Sequence, residues 1–194
     1  MTKQLGYWKG QSGKEWFDRT KIDPESRVEA FKKMIGDLDI GSVLEVGCGL
    51  GYNLEAVFKV GGYDVHGVDP NEHAIRLASS KYGNQFFSFG DCFNLPFSEN
   101  TFDLVFTSGV LMHVTSGDLL RAVENLNRVA KKYVLVIEYY AEKETMIPYH
   151  GQTDILFKRD YGSLLPNLVK SGSLTKEDGF DSCDYWLFKK EDKK

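Results

Sequence analysis

The chain has little of what small secreted, metal-bound or membrane proteins are built from. Cysteine is scarce: Cys48, Cys92 and Cys183 are odd in number, far apart and without the paired spacing of a zinc site. Neither a disulfide framework nor a metal centre is therefore expected, and the three thiols read as reduced. Five prolines in 194 residues, with no repeats or low-complexity tracts, exclude collagen-like and disordered classes. No uncharged run approaches the length of a membrane span, and residues 1–10 lack the apolar centre of a signal peptide. The net charge is only −4, with basic and acidic residues interspersed, so no cationic face is offered to nucleic acid. These absences predict a cytoplasmic protein with neither a membrane nor a nucleic-acid partner.

What is present suits one packed core: 42% of the residues are hydrophobic and 27% charged. Short β-rich runs at Ser42–Val46, Asp64–Asp69, Gln85–Phe89, Asp103–Thr107 and Tyr133–Tyr140 alternate with helix-like stretches. This is the pattern of an α/β sheet with crossover helices. Helix starts are marked by Asp23-Pro24, Gly51, Asn71, and Ser116 or Asp118, and Tyr185–Lys189 reads as a last strand. From Ala141 to Asp184, Gly and Pro interrupt any periodicity.

Four blocks carry chemistry. In the first, the apolar strand Val43-Leu44-Glu45-Val46 runs into Gly47-Cys48-Gly49-Leu50-Gly51. Such a turn leaves backbone amides facing a ligand at a helix N-terminus, although it can also serve only to pack helix on strand. Glu45 precedes the first glycine by two positions and can face a ligand cation or pair with a lysine; an acid in so apolar a strand needs a partner. In the second, Asp69 ends a strand 22 positions beyond Gly47, where a ribose diol would lie, or caps the turn before Pro70. The third is Gly90-Asp91-Cys92-Phe93, where Asp91 can accept from an adenine amine and Cys92 offer a backbone amide. The fourth is the strand Phe102 to Thr107 with its loop Ser108-Gly109-Val110-Leu111-Met112-His113, at the carboxyl edge where α/β sheets bind ligands.

Together and in this order, the blocks resemble the class I S-adenosylmethionine-dependent methyltransferase superfamily. The resemblance implies an α/β, Rossmann-like fold with a seven-stranded, mostly parallel sheet, an antiparallel last strand and helices on both faces. It implies S-adenosylmethionine as cofactor and S-adenosylhomocysteine as product. The implied cofactor residues are Trp8, Arg19, Glu45, Gly47, Cys48, Gly49, Gly51, Asn53, Leu54, Asp69, Pro70, Asp91, Cys92, Phe93, Ser108 and Gly109. One domain over 1–194 is expected, with a helical lid at 1–40, the cofactor core at 41–140, and a substrate region with the last strands at 141–194. A narrower likeness is to methylases associated with pseudaminic acid biosynthesis. It runs through Tyr7-Trp8-Lys9-Gly10, Asp18-Arg19, Gly51-Tyr52-Asn53-Leu54, Thr107 to Val114, and Glu138-Tyr139-Tyr140 to Asp160. Ser108 stands where that group commonly has lysine. The likeness suggests that Tyr7, Trp8, Trp16 and Phe17 cover the cofactor and that Arg19 reaches its carboxylate.

Methyl transfer needs a nucleophile held in line behind the methyl group and no metal. His113 is the candidate base for an acceptor that must lose a proton, or else a structural histidine. Glu138, Tyr139, Tyr140, Tyr149, His150, Lys158 and Arg159 are the candidate acceptor residues. The two cations would clamp an acidic, sugar-like metabolite, or else they are surface charges. A nicotinamide-dependent oxidoreductase and a non-catalytic binding module remain as alternative readings.

Overall fold

The computed structural model describes residues 2–191; Met1 and positions 192–194 of the expected domain lie outside the described residues. Five parallel strands form its centre: β1 (Ser42–Val46), β2 (Asp64–Asp69), β3 (Phe87–Phe89), β4 (Phe102–Ser108) and β5 (Ala130–Glu138). A hairpin of β6 (Thr145–Tyr149) and β7 (Gln152–Lys158) stands apart as a second sheet. The edge strand β8 (Leu168–Leu174) and the reversed strand β9 (Cys183–Lys189) complete the order β3-β2-β1-β4-β5-β9-β8. β9 is antiparallel to both its neighbours, so one late strand is reversed, as the sequence predicts.

Strand side chains alternate between two buried layers. Leu104 and Phe106 of β4 and Leu135 of β5 meet Phe31 and Met34 on one face. Val105 and Val134, the residues between them, meet Leu126 and Val129 on the other. The helices follow from matching stripes: Ala30, Phe31, Met34 and Ile35 make one face of α3 (Val28–Ile35). Ala122, Val123, Leu126 and Val129 make one face of α6 (Ser116–Val129). Between these, α4 (Tyr52–Gly61) and α5 (Glu72–Tyr82) follow β1 and β2. Gly51, at φ 79°, opens α4. Asn71 Oδ1 caps α5 by accepting from His73 N at 3.0 Å and Ala74 N at 3.3 Å. No helix among the described residues is long and apolar enough to cross a membrane.

The structure differs from the sequence reading at several boundaries. The third strand begins at Phe87, because Asn84–Phe86 is taken by a 3-10 turn, and β5 starts at Ala130 and ends at Glu138. The Asp23-Pro24 signal opens the 3-10 turn Pro24–Arg27, and α3 follows it. The N-terminal region folds as α1 (Lys3–Lys9) and α2 (Gln11–Arg19), laid across the carboxyl edge of the sheet.

Candidate functional site

A cavity of about 700 Å³ opens at the carboxyl ends of the central strands, roofed by α1 and α2. Its floor is the turn after β1. Gly47 N and Cys48 N donate to Val68 O at 2.7 and 3.0 Å, which ties the turn to β2. Gly47 and Gly49 hold φ of 82° and 50°. A Cβ on Gly47 would lie 2.2 Å from Val110 Cγ2, and one on Gly49 2.8 Å from Phe17 Cε1. Glycine is needed there because the loop after β4 and the roof helix α2 both press on the turn.

Buried Asp69 anchors the same turn: Oδ2 accepts from Gly49 N at 2.9 Å and Oδ1 from Asn71 N at 2.8 Å. Burial pushes its carboxyl up to about 6 against these two bonds. Each oxygen keeps a lone pair for a ligand hydroxyl. Farther along, Asp91, Cys92 and Phe93 form a wall with a polar edge. Asp91 Oδ1 accepts from Phe93 N at 3.0 Å, and Oδ2 lies 3.3 Å from Lys9 Nζ on α1. Burial pushes the Cys92 thiol up to about 12, so it is unreactive at neutral pH.

At the opposite end, Glu45 accepts from Asn53 Nδ2 at 2.7 Å through Oε1, while its buried Oε2 has no partner among the described residues. Burial raises its carboxyl to about 8. Asn53 in turn accepts from Arg27 Nη1 at 2.5 Å. Arg27 is held by Gly179 O, 2.9 Å from Nε, and lies 4.2 Å from the centroid of the Phe180 ring. This cation was missed in the sequence, where nothing around Arg27 marks a ligand; the connection between β8 and β9 fixes it beside the cavity.

The loop after β4 closes the site. Buried Glu138 accepts from Val110 N, Leu111 N and Met112 N at 2.9, 2.8 and 3.2 Å. Burial still lifts it to about 7. His113 donates from Nδ1 to Ile155 O at 2.7 Å, which fixes the tautomer, and Nε2 has no protein partner among the described residues. Burial lowers it to about 4, so the ring is neutral at pH 7. Its ring meets Trp8 at 4.7 Å and Tyr149 at 5.7 Å between centroids.

Of the residues named from sequence, Trp8, Gly47, Gly49, Asn53, Asp69, Pro70, Asp91, Cys92, Phe93, Ser108, Gly109, His113, Glu138, Tyr139 and Tyr149 line the cavity. Others do not. Leu54 packs into the core, and a Cβ on Gly51 would face Phe87 and Tyr82. Cys48 Sγ sits against Gly67, and Glu45 acts from beneath through Asn53. Arg19 is turned outward, with Nη2 3.0 Å from Nε2 of His150 on the hairpin turn, so neither reaches the wall. Tyr140 is exposed beside Trp186, and Lys158 stacks on the Tyr139 ring with Nζ 5.2 Å from its centroid. Arg159 is buried away from the cavity; Nη1 donates to Leu111 O at 3.3 Å and Val114 O at 2.9 Å, and Nε lies 3.0 Å from Glu144 Oε2. Its guanidinium is used to hold backbone carbonyls. The same holds for the acid Glu138, whose oxygens are turned to backbone amides.

The arrangement suits S-adenosylmethionine. The cation Arg27 and the acid Glu45, joined by Asn53, can meet the carboxylate and the ammonium of an amino-acid head, and Glu45 Oε2 has no donor among the described residues. Asp69 matches a diol, and the slot at Asp91 to Phe93 matches a purine. The family model described as Methyltransferase domain matches residues 44–137. A phosphoethanolamine N-methyltransferase of Plasmodium falciparum is 28% identical over 111 residues, covering 54% of this chain and 39% of its own length. An O-methyltransferase of Aspergillus nomiae is 29% identical, covering 66% of this chain and 57% of its own length. The chain thus spans about four- to six-tenths of those relatives. A solved Burkholderia thailandensis 1,6-didemethyltoxoflavin-N1-methyltransferase, with its acceptor and S-adenosylhomocysteine bound, has a TM-score of 0.69 at 15% identity over 95% of this chain and 84% of its own.

Proposed function

We propose that this chain belongs to the class I methyltransferase superfamily and transfers a methyl group from S-adenosylmethionine to a small acceptor enclosed beneath α1 and α2. The observation that carries the reading is the Arg27-Asn53-Glu45 chain beside the glycine turn, followed across the sheet by Asp69 and Asp91. In this reading Arg27, in place of Arg19, holds the cofactor carboxylate, and Glu45 with Asn53 favours its ammonium. Asp69 holds the ribose, while Asp91, Cys92 and Phe93 take the adenine. Ser108 and Gly109 border the methionine arm, and Trp8 covers it.

When bound, the cofactor supplies a methyl group on a positively charged sulfur. The chain's own work is positioning: the turn and roof fix one reactant, and the loop carrying His113 fixes the approach of the other. His113 Nε2, neutral and unpartnered, receives the proton that a hydroxyl or N–H acceptor gives up. Trp8, Trp16 and Phe17 keep water out. A small acceptor accords with the names of the phosphoethanolamine and didemethyltoxoflavin enzymes. The acidic, sugar-like acceptor read from Lys158, Arg159 and the tyrosines keeps only Tyr139 and Tyr149 in the cavity and neither cation, and the pseudaminic acid likeness rests on sequence motifs alone. Calorimetric titration with S-adenosylmethionine, S-adenosylhomocysteine and NAD in parallel tests the reading. Binding of the first two without NAD is expected; NAD alone, or no binding, overturns it.

A further inference from the structure

The acceptor side of the cavity has a chemistry of its own. Trp8, His113 and Tyr149 form one continuous aromatic wall, with Trp8 and Tyr149 centroids 6.4 Å apart. Met112 and Leu156 complete it. The nearby charged groups are turned to the protein: Glu138 accepts from three backbone amides, while Arg159, bonded to two carbonyls, and Lys158, stacked on the Tyr139 ring, are not part of the lining. Arg27, Lys176 and Asp181 belong to the far end of the lining, beside Gly179 and Phe180, and Asp181 accepts there from the Tyr139 hydroxyl at 3.2 Å. The polar atoms along the wall are His113 Nε2, a hydrogen-bond acceptor in the tautomer fixed by Ile155 O, the Tyr149 hydroxyl, and the buried indole N–H of Trp8, for which the described residues supply no acceptor.

We infer that the acceptor is a planar, uncharged aromatic compound that lies against the Trp8, His113 and Tyr149 rings and presents a ring or ring-attached N–H to His113. The inference rests on the methyltransferase reading of the same cavity. Flat rings gain from offset and edge contacts with such a wall, and an uncharged ring needs no counter-ion there. In the reaction the acceptor nitrogen bonds to the methyl carbon as the carbon–sulfur bond breaks with its electron pair left on sulfur. The proton then passes from nitrogen to His113 Nε2, while Nδ1–H stays on Ile155 O. An arylamine nitrogen is neutral at pH 7 and keeps a lone pair. In an azole the lone pair is on the unprotonated ring nitrogen, so that atom takes the methyl group while the other ring N–H faces His113 and gives up the proton. In both cases the methylated cation is a far stronger acid than the neutral acceptor. An alkylammonium would also suit an aromatic box, but it has no lone pair. Burial holds His113 at about 4, so taking a proton from a group near about 10 would be uphill by about a millionfold.

The test is calorimetric titration of the S-adenosylhomocysteine-saturated protein with benzimidazole and aniline, against glucuronate, phosphoethanolamine and dimethylethanolamine. Saturable binding of the two aromatic probes alone is expected, weakened about three- to tenfold by Tyr149→Ala and again by Trp8→Leu. Binding of an ionic probe in preference, or of no aromatic probe at millimolar concentration, overturns the inference. If S-adenosylhomocysteine itself fails to bind, the cofactor reading fails instead. The wall belongs to the chain alone, so the same ranking is then expected, and read, with the ligand-free protein.

Discussion

Arg159→Met separates a ligand clamp from a structural strut. Methionine keeps most of the buried aliphatic volume but leaves Leu111 O and Val114 O without the donor now 3.3 and 2.9 Å away. A hydrogen bond to a charged group is worth about 1.5–3 kcal/mol. The Glu144 contact adds little, because that carboxylate is 42% exposed and returns to water. Removing the desolvation cost of a buried guanidinium offsets part of the loss. The net is about 3 kcal/mol of destabilisation, which for a chain of this size lowers Tm by roughly 6–12 °C. S-adenosylhomocysteine affinity should fall less than about tenfold, since the Ser108 and Gly109 side of the loop is still held by Glu138. Arg159→Lys should recover part of the Tm loss, because one ammonium can reach one carbonyl. Thermal unfolding followed by circular dichroism, with calorimetry for the ligand, measures both. A Tm within about 2 °C of the parent would refute the strut and return Arg159 to the acceptor.

Asp69→Ala removes the acceptor for Gly49 N and Asn71 N and the proposed ribose contacts; S-adenosylhomocysteine affinity should drop about 100-fold, near 3 kcal/mol, and an unchanged Kd contradicts the placement. Glu45 is raised from 4.5 to about 8, so between those values the ligand-free native state holds more protons than the unfolded state. Its contribution to stability therefore falls as pH rises through that window, and Glu45→Gln should flatten the slope of Tm against pH there. A cofactor ammonium favours the ionised carboxylate, so binding at pH 7 should release a proton, seen as a buffer-dependent heat that Glu45→Gln abolishes; equal heats in phosphate and Tris would count against the contact. Deleting residues 1–20 strips Trp8, Trp16 and Phe17 from the roof and should weaken cofactor binding in a core that still unfolds cooperatively; unchanged affinity would remove the roof from the site.

The features legible in the sequence are those whose cause is local. The run Val43 to Gly51, the strand-end acid Asp69 and the Asn71 cap are marked by residue types within a few positions, even where the partners, as for Gly49 and Asp69, lie farther along the chain. Arg27 is different: its partners are Asn53 in α4 and Gly179 beyond β8, so its role exists only after folding. Lys158 and Arg159 look like a pair because they are adjacent, yet adjacent residues at a strand end point to opposite sides. One stacks outward on Tyr139 and the other turns inward to Leu111. Strands β6 and β8 escape notice because both are largely exposed, and their alternation carries polar residues, Gly172 or Pro148. Burial itself is the quantity the sequence hides. It turned two expected acceptor ligands, Glu138 and Arg159, into the supports of the loop that carries His113.

That loop, the glycine turn and the roof share their contacts. Val110 presses on Gly47 and Phe17 on Gly49, so any β-carbon at either glycine would separate two parts of the site at once. The roof is held to both halves of the cavity. Asn71 Nδ2 donates to Trp8 O at 2.7 Å on the Asp69 side, and Gln4 Nε2 to Asp154 O at 2.8 Å on the hairpin side. The Lys3–Asp154 ion pair and the His73–Asp18 hydrogen bond are partly exposed and contribute about 0–1 kcal/mol each. Two ordinary hydrogen bonds add about 1 kcal/mol apiece. Lys9–Asp91, the buried Phe17 and the Trp8–His113 ring contact hold the roof further, so its attachment is spread over many individually weak contacts. The core beneath, built from Phe31, Phe106 and Leu135, makes none of these contacts, so loss of the roof is expected to disturb the glycine turn through Phe17 and leave the sheet packed.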